Sequence, residues 1–417
     1  MNTNEKDKEL NEILNVLQDL IVINDNNDNT LKINHQFNFK MSKISINNSL
    51  LETINKYENI VLFHKSYKSS GFHKFYEKFN KLIYFCYRKD TYPMKTKINL
   101  PISRDSGWGC MIRCGQMIMS RAIYKYLKSK KYSTENAIVE TIKYFLDEPY
   151  TLENIPTIFS SITSKFTKCS NNSKILPPFG IHAHCLLGKR YSKYAGEWFS
   201  DVNICSNYRH INNCFNIFPD MKIFSFVSDF ILHDVLDACF IELKNDENIS
   251  QNDSILDLKG KKYKMQKCML IFISVRLGIN KITNVYHSSL KKCFECKECI
   301  GIIGGEKNLA HYFIGYNSKG NMIYLDPHIT RDSIKYLNDD IVVNDCLTKN
   351  MLEISLDNMS TGLSFGFLCR NLKEFEDFLL FLENFNNLEY PCFSYVKNKI
   401  EIDDQLMENI FNDQDDF

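Results

Sequence analysis

The chain has 417 residues, enough for one large domain or two ordinary ones around a buried core. Its 51 Lys and Arg against 50 Asp and Glu leave no global field that would argue for nucleic acid or an anionic membrane. The N-terminus MNTNEKDKEL is charged and unlike a secretory signal, and no apolar run reaches the roughly 18–20 residues of a membrane span. Fifteen cysteines without an export signal point to reduced thiols, so the expectation is a cytoplasmic protein.

Residues 1–55 form a polar extension rich in Asn, Asp and Lys, expected to be largely disordered, with IVINDNNDNTLKIN its clearest low-complexity stretch. Within it, Leu10, Ile13, Leu14, Leu17 and Leu20 fall at helical spacing and suit a short docking helix. Residues 56–397 read as one globular domain. KLIYFCYRK (81–89) suits a buried strand or helix, and Met111, Cys114, Ile118, Ala122 and Tyr126 form the stripe of an amphipathic helix over 110–127. The run KYLKSKK (125–131) suits a solvated helix end. A polar insertion near 243–267 reads as a loop. MLIFISVRLG (269–278), IGIIGG (300–305), AHYFIGY (310–316) and NMIYLDPH (321–328) are short β-rich runs of a sheet meander. Helix first and sheet later makes an α+β fold, with no internal repeat. Residues 398–417 form an acidic, flexible tail. Just before it, Phe393-Ser-Tyr-Val396 has the form of a peptide that adds a strand to a partner's sheet edge, although a buried strand end is the favoured reading.

Four constellations carry chemistry. Cys293, Cys296 and Cys299 form CxxCxxC without the further cysteine of an iron–sulfur run; a zinc site would need a fourth ligand such as His287, and surface or half-buried thiols are preferred. His182 and His184 share a face if extended, as a metal pair or, preferably, as hydrogen-bonded histidines. Cys110 follows Gly107-Trp108-Gly109 and opens a helix, whose N-terminus stabilises a thiolate and whose first N–H groups can bind an oxyanion. A buried structural cysteine is the equal alternative. Cys114, one turn on, could cap an oxidised Cys110 or simply pack. In LDPH, Asp326 and His328 lie on one side of an extended stretch, so the carboxylate can hold one imidazole nitrogen and leave the other for Cys110. His311 is the rival base but has no carboxylate beside it in sequence.

In the same order, YFCYRKD (84–90), SGWGCMIRCGQM (106–117), GEWFSD (196–201), VRLGIN (275–280), IGGEKNLAHYFIGY (303–316), IYLDPH (323–328) and FGFLCRNLKEFEDFL (365–379) resemble the autophagins, the autophagy-related cysteine proteases. The likeness spans about residues 80–380. It implies a papain-like fold with a small accessory region and no cofactor. It also implies cleavage after the C-terminal glycine of a ubiquitin-like autophagy modifier, both to trim the precursor and to release the modifier from phosphatidylethanolamine. Membrane contact would then be transient and through the lipidated substrate. By position, the resemblance makes Cys110 the nucleophile, His328 the base and Asp326 the orienting acid. Tyr87 takes the place of the oxyanion-hole tyrosine and Trp198 that of the tryptophan over the substrate's glycine channel. Trp108 beside the turn would complete a slot too narrow for a residue with a Cβ. Arg104 and Cys86 depart from the family pattern without removing a catalytic group. GWGC and DPH also occur in ubiquitin-fold-modifier peptidases, the runner-up. A catalytically inactive modifier-binding adaptor and a thiol metal-binding protein are the alternatives of other classes.

Overall fold

The computed structural model describes residues 22–24, 50, 54–151, 155–156, 159, 173–243, 255–258, 260–337, 340–348 and 350–397. The candidate helix at Leu10–Leu20 and the tail 398–417 lie outside these.

A nine-stranded sheet forms the middle layer. A seven-strand path within it runs through β3 (Met221–Val227), β4 (Cys268–Arg276), β5 (Cys299–Glu306), β6 (Leu309–Asn317), β7 (Met322–Leu325), β8 (Leu352–Ile354) and β9 (Gly362–Cys369), in the spatial order β8-β7-β6-β5-β9-β4-β3. Neighbours are antiparallel except β3 and β4. Strands β5 to β7 are the expected meander, whereas β4 is parted from it by β9. The continuous apolar run of β4 follows from burial on both faces. Alternate residues serve different cores: Leu270 and Phe272 join one, Met269, Ile271 and Ile273 the other. The sheet is thus covered on both sides, and the fold is α+β.

On one face lies α1 (Cys110–Ser129), on the other α3 (Leu372–Asn386), whose Phe375, Phe378 and Leu382 are buried. Helix α1 does not follow its expected stripe. Met111 and Tyr126 are only half-buried, while Ile112, Arg113, Gln116, Met119 and Ile123 are fully covered. The reason is that α1 is sandwiched between the sheet and α2 (Asp201–Phe215), so nearly every side is inside. Contact with α2 is close at Gly115, where a Cβ would sit 2.3 Å from Ile204 Cγ2 and 3.1 Å from the Tyr208 hydroxyl.

Several expectations need correction. Residues 81–87 are neither strand nor helix but a buried extended segment that becomes β1 (Arg88–Lys95) and pairs back with β2 (Pro101–Arg104). The polar insertion is not all loop: Phe240–Leu243, Ile255–Leu258 and Lys261–Met265 make a small antiparallel sheet, because Phe240, Leu256 and Tyr263 supply an apolar face against the core. Within the N-terminal extension, Val22–Asn24 pairs with Ser173–Ile175. The sequence 393–396 is a strand end. Ser394–Val396 runs parallel to Asp229–Ile231, and Phe393 packs against Phe365, Phe367 and Phe385. Among the described residues no helix is long and apolar enough to cross a membrane.

Overpacking a well-filled contact typically costs about 1–3 kcal/mol. Gly115→Ala should therefore lower the thermal midpoint by several degrees, and combined with Ile204→Ala, which removes the crowding Cγ2, the loss should be smaller than the sum of the two single losses. Equal midpoints for Gly115→Ala and the wild type would contradict the close α1–α2 approach.

Candidate active site

Three separate stretches meet at the start of α1. The first is the turn Asp105–Gly109, where Gly107 has φ of +88° and the Asp105 carbonyl accepts from the N–H groups of Trp108 (3.2 Å) and Gly109 (2.9 Å). A Cβ on Gly109 would lie 2.7 Å from that of Asp105, so only glycine fits there. The turn delivers Cys110 as the first residue of α1, 1% exposed, where the helix leaves N–H groups without intrahelical acceptors.

The second stretch is Tyr84–Tyr87 and the third Asp326–Arg331, lying side by side. The Tyr84 hydroxyl donates to the Asp326 carbonyl (2.6 Å), the Tyr87 N–H to that of Pro327 (2.9 Å), and the Arg331 N–H to that of Tyr87 (2.9 Å). This irregular pairing explains why 81–87 is not a regular strand. It sets the Tyr87 ring edge-on to His328, with centroids 5.4 Å apart.

Asp326 Oδ1 accepts from His328 Nδ1 and, at 3.1 Å, from the His328 N–H. These bonds hold Asp326 below the usual carboxylate range against the opposing effect of burial. His328 Nε2 is buried without a partner of ordinary hydrogen-bond geometry; what it meets is the Cys110 thiol, a contact that tightens in many enzymes only when substrate binds. Burial opposes charge on both groups. The imidazole is nonetheless raised to about 9 by Asp326 and the thiol. Cys110 is lowered: burial pushes it up, but the facing His328 imidazole, the Ala310 backbone and the Tyr87 hydroxyl favour the thiolate more strongly. Both shifts act in the direction of thiolate and imidazolium. Tyr87 itself is pushed up by burial and by the neighbouring thiolate, so its hydroxyl stays a donor.

Trp198 is 43% exposed and its indole N–H donates to the Gly107 carbonyl at 3.3 Å, so the ring stands over the turn. Trp108 is different. It is 7% exposed with its N–H on the Arg104 carbonyl (3.1 Å), and it packs under the turn instead of walling a slot. His311 is buried and not without carboxylates: the β5–β6 hairpin brings Glu306 Oε1 to 3.2 Å from its Nε2, and Asp326 Oδ1 lies 3.8 Å from its Nδ1. Burial above all keeps it more neutral than a free histidine. His311, Asp326 and His328 are also the one set among the described residues with ligand atoms close enough to share an ion, within 4.8 Å of one another. Asp326 already serves His328 there.

The other metal candidates do not assemble. Cys293, Cys296 and Cys299 are buried, not surface thiols, and desolvation drives each thiol upward, Cys299 to about 12. His182 and His184 lie on a helix, Ile181–Gly188, so they point in different directions; one bonds the Tyr92 carbonyl (2.7 Å), the other Asn207 (3.3 Å). Cys114 is fully buried and raised well above a free thiol, first by desolvation.

A network unseen in the sequence underlies the site. Arg113, wholly buried, bonds Asp105 Oδ2 (2.6 Å), Asp147 Oδ1 (2.9 Å) and Gln116 Oε1 (2.9 Å). Its signal was there to read: Arg113 and Gln116, three apart, interrupt an apolar helix, and a buried guanidinium requires carboxylates.

Residues 72–380 match the Peptidase C54 catalytic domain. The chain belongs to that family, the autophagins. Relatives include cysteine protease ATG4D of Xenopus laevis, 24% identical over 327 residues, 72% of this chain and 66% of that protein. Human cysteine protease ATG4A is 25% identical over 307 residues, 71% of this chain and 70% of its own. Cysteine protease ATG4C of Xenopus tropicalis is 23% identical over 382 residues, covering 84% and 80%. The chain thus spans about two thirds of the length of the first two. Autophagin catalytic domains are papain-like cysteine proteases, in keeping with this α+β fold and with a cysteine at the head of a helix packed on a sheet.

Two outcomes follow from the geometry. Iodoacetate is an anion and is drawn to a thiolate–imidazolium pair more than neutral iodoacetamide is, so the ratio of their Cys110 alkylation rates reports the imidazolium. His328 is raised from an ordinary value of about 6.5, so the imidazolium persists through neutral pH and is lost as pH rises through about 9. The ratio should fall there, and in Asp326→Asn the fall should move toward pH 6.5; an unmoved fall would contradict the role of the carboxylate. Separately, Arg113→Ala strands two buried carboxylates, a change that typically costs about 3–5 kcal/mol. Denaturant titration should register a loss of that order, larger than for truncation of an exposed arginine such as Arg104.

Proposed function

We propose that this autophagin cleaves after the C-terminal glycine of a ubiquitin-like autophagy modifier through Cys110, His328 and Asp326. The observation that carries this is the Asp326–His328 pair set against a lowered thiol at a helix N-terminus, within a Peptidase C54 domain. In this reading the Cys110 thiolate attacks the glycine carbonyl, and the oxyanion is received by the Cys110 N–H and the Tyr87 hydroxyl. His328 Nε2 then gives its proton to the departing amine, leaving a thioester. A water that yields its proton to His328 hydrolyses the thioester and restores the thiol pair. Asp326 fixes the imidazole tautomer throughout.

The amine leaves outside the slot under Trp198, so a peptide or the ethanolamine of a phospholipid serves equally. That makes precursor trimming and release from phosphatidylethanolamine two uses of one reaction, carried out in the cytoplasm. His311, tied to Glu306, is assigned a structural role.

A modifier carrying a C-terminal vinyl sulfone should label Cys110 in the wild type and fail with Cys110→Ser; no labelling would identify a binding adaptor. Cys110→Ser and His328→Ala should each lose on the order of 10³-fold or more in kcat/KM, and the double variant little further. His311→Ala should cost mainly stability. Replacing the substrate glycine by alanine should cost on the order of 10²-fold, and Trp198→Ala should narrow that gap. Equal processing of glycine and alanine precursors by the wild type, or preferred cleavage of a ubiquitin-fold-modifier precursor, would overturn the assignment.

A further inference from the structure

Between Tyr87 and Cys110 the chain leaves the active site, makes the β1–β2 hairpin and returns. Strand β1 begins one residue after Tyr87, and β2 ends at Arg104, six residues before the thiol. The hairpin is anchored through Met94, which is buried against the Cys185 thiol (3.8 Å) and lies in register with half-buried Ile102. Its tip is ordered. The Thr96 N–H donates to the Leu100 carbonyl (3.0 Å), the Asn99 N–H to the Thr96 carbonyl (3.0 Å) and the Leu100 N–H to Thr96 Oγ1 (3.1 Å), with Asn99 left-handed at φ +67°.

This fixed turn presents Ile98 at 75% exposure and Leu100 at 58%. Ile279 and Ile341 are as exposed but stand singly, which is ordinary for a protein surface. The hairpin differs in its surroundings. Residues 94–104 (MKTKINLPISR) contain no acidic side chain, and Lys95, Lys97 and Arg104 are exposed. Aliphatic side chains on a convex apex with cationic shoulders complement the boundary between anionic headgroups and acyl chains. A protein partner would more often meet a groove or a flat patch with mixed charge.

The apex also lies next to the cleft. A Cβ on Gly196 would lie 3.9 Å from Thr96 Cγ2 and 3.7 Å from Ile102 Cδ1, and Gly196 is two residues from Trp198. An amide to phosphatidylethanolamine sits at the headgroup layer, so an enzyme that cuts it must bring its thiolate to that depth.

We propose that the tip Lys95–Pro101 is a membrane-touching element that seats the enzyme on an anionic phospholipid surface with the Cys110 cleft beside the headgroups. The proposal rests on the reading that a lipid-linked modifier is a substrate, and it adds a direct contact between enzyme and bilayer.

The test is flotation of the full chain, as Cys110→Ser, with vesicles of phosphatidylcholine and phosphatidylethanolamine, with or without about 20 mol% phosphatidylserine. Binding should require phosphatidylserine and weaken with salt. Ile98→Asp with Leu100→Asp, or Lys95→Glu with Lys97→Glu, should lower it about tenfold or more. In the active chain these variants should trim soluble precursor within about twofold of wild type, yet release modifier from vesicle-bound conjugate about tenfold more slowly. Absence of wild-type binding, or equal binding by the tip variants, would overturn the proposal. So would an equal loss on soluble precursor, which would assign the tip to modifier docking. The underlying reading fails separately: a wild type unable to cleave detergent-dispersed conjugate would refute lipid release, whatever the vesicles show.

Discussion

A single buried guanidinium ties the parts of the candidate site together. Arg113 is fixed by Asp105 on one side and Asp147 on the other. Asp105 also accepts the Arg88 N–H (2.5 Å), which ties down the segment carrying Tyr87. Asp147 exchanges two hydrogen bonds with the backbone of Ile334, at 2.8 and 2.9 Å, which anchors the segment following His328. Three stretches far apart in sequence are thus referenced to one side chain on the helix that bears the thiol. Three ions at zero exposure are expensive to bury, and their contribution here is best understood as positional.

The same desolvation that threatens charged groups sorts the thiols. Cys114, Cys185, Cys205, Cys293 and Cys369 are buried without adequate stabilisation of a thiolate, and burial pushes each one up. Cys110 is equally hidden but meets an imidazolium, a phenol and a backbone donor, and it alone among these moves down. Among these thiols the direction of the shift follows local hydrogen bonding and not exposure.

What the sequence made legible was local. The glycine turn into a helix, the Asp-Pro-His dyad and the β-rich runs are short-range signals whose physics is complete within a few residues. What stayed hidden depends on partners distant in sequence. The burial of α1 on nearly every side needs α2 and the sheet; the irregular course of 81–87 needs Pro327 and Arg331; the carboxylate beside His311 appears only when the β5–β6 hairpin closes. Tyr87 and Trp198 carry no signal of their own and are picked out by family likeness alone; the fold sets Tyr87 edge-on to His328 and Trp198 over the turn. Trp108 shows the opposite error, since adjacency in sequence suggested a wall where the ring lies underneath.

The position of β9 has a consequence for how the protein is made. This strand, near the end of the described chain, inserts between β5 and β4, which precede it. Until residues 362–369 leave the ribosome the sheet exists as two halves with open edges, each with an apolar face meant for the other layer. At synthesis rates of about 5–20 residues per second, the nascent chain lives for several seconds with those edges unpaired. Chain termination just short of β9 would leave every candidate catalytic residue translated but the sheet beneath them unclosed, in a form prone to pair with its neighbours.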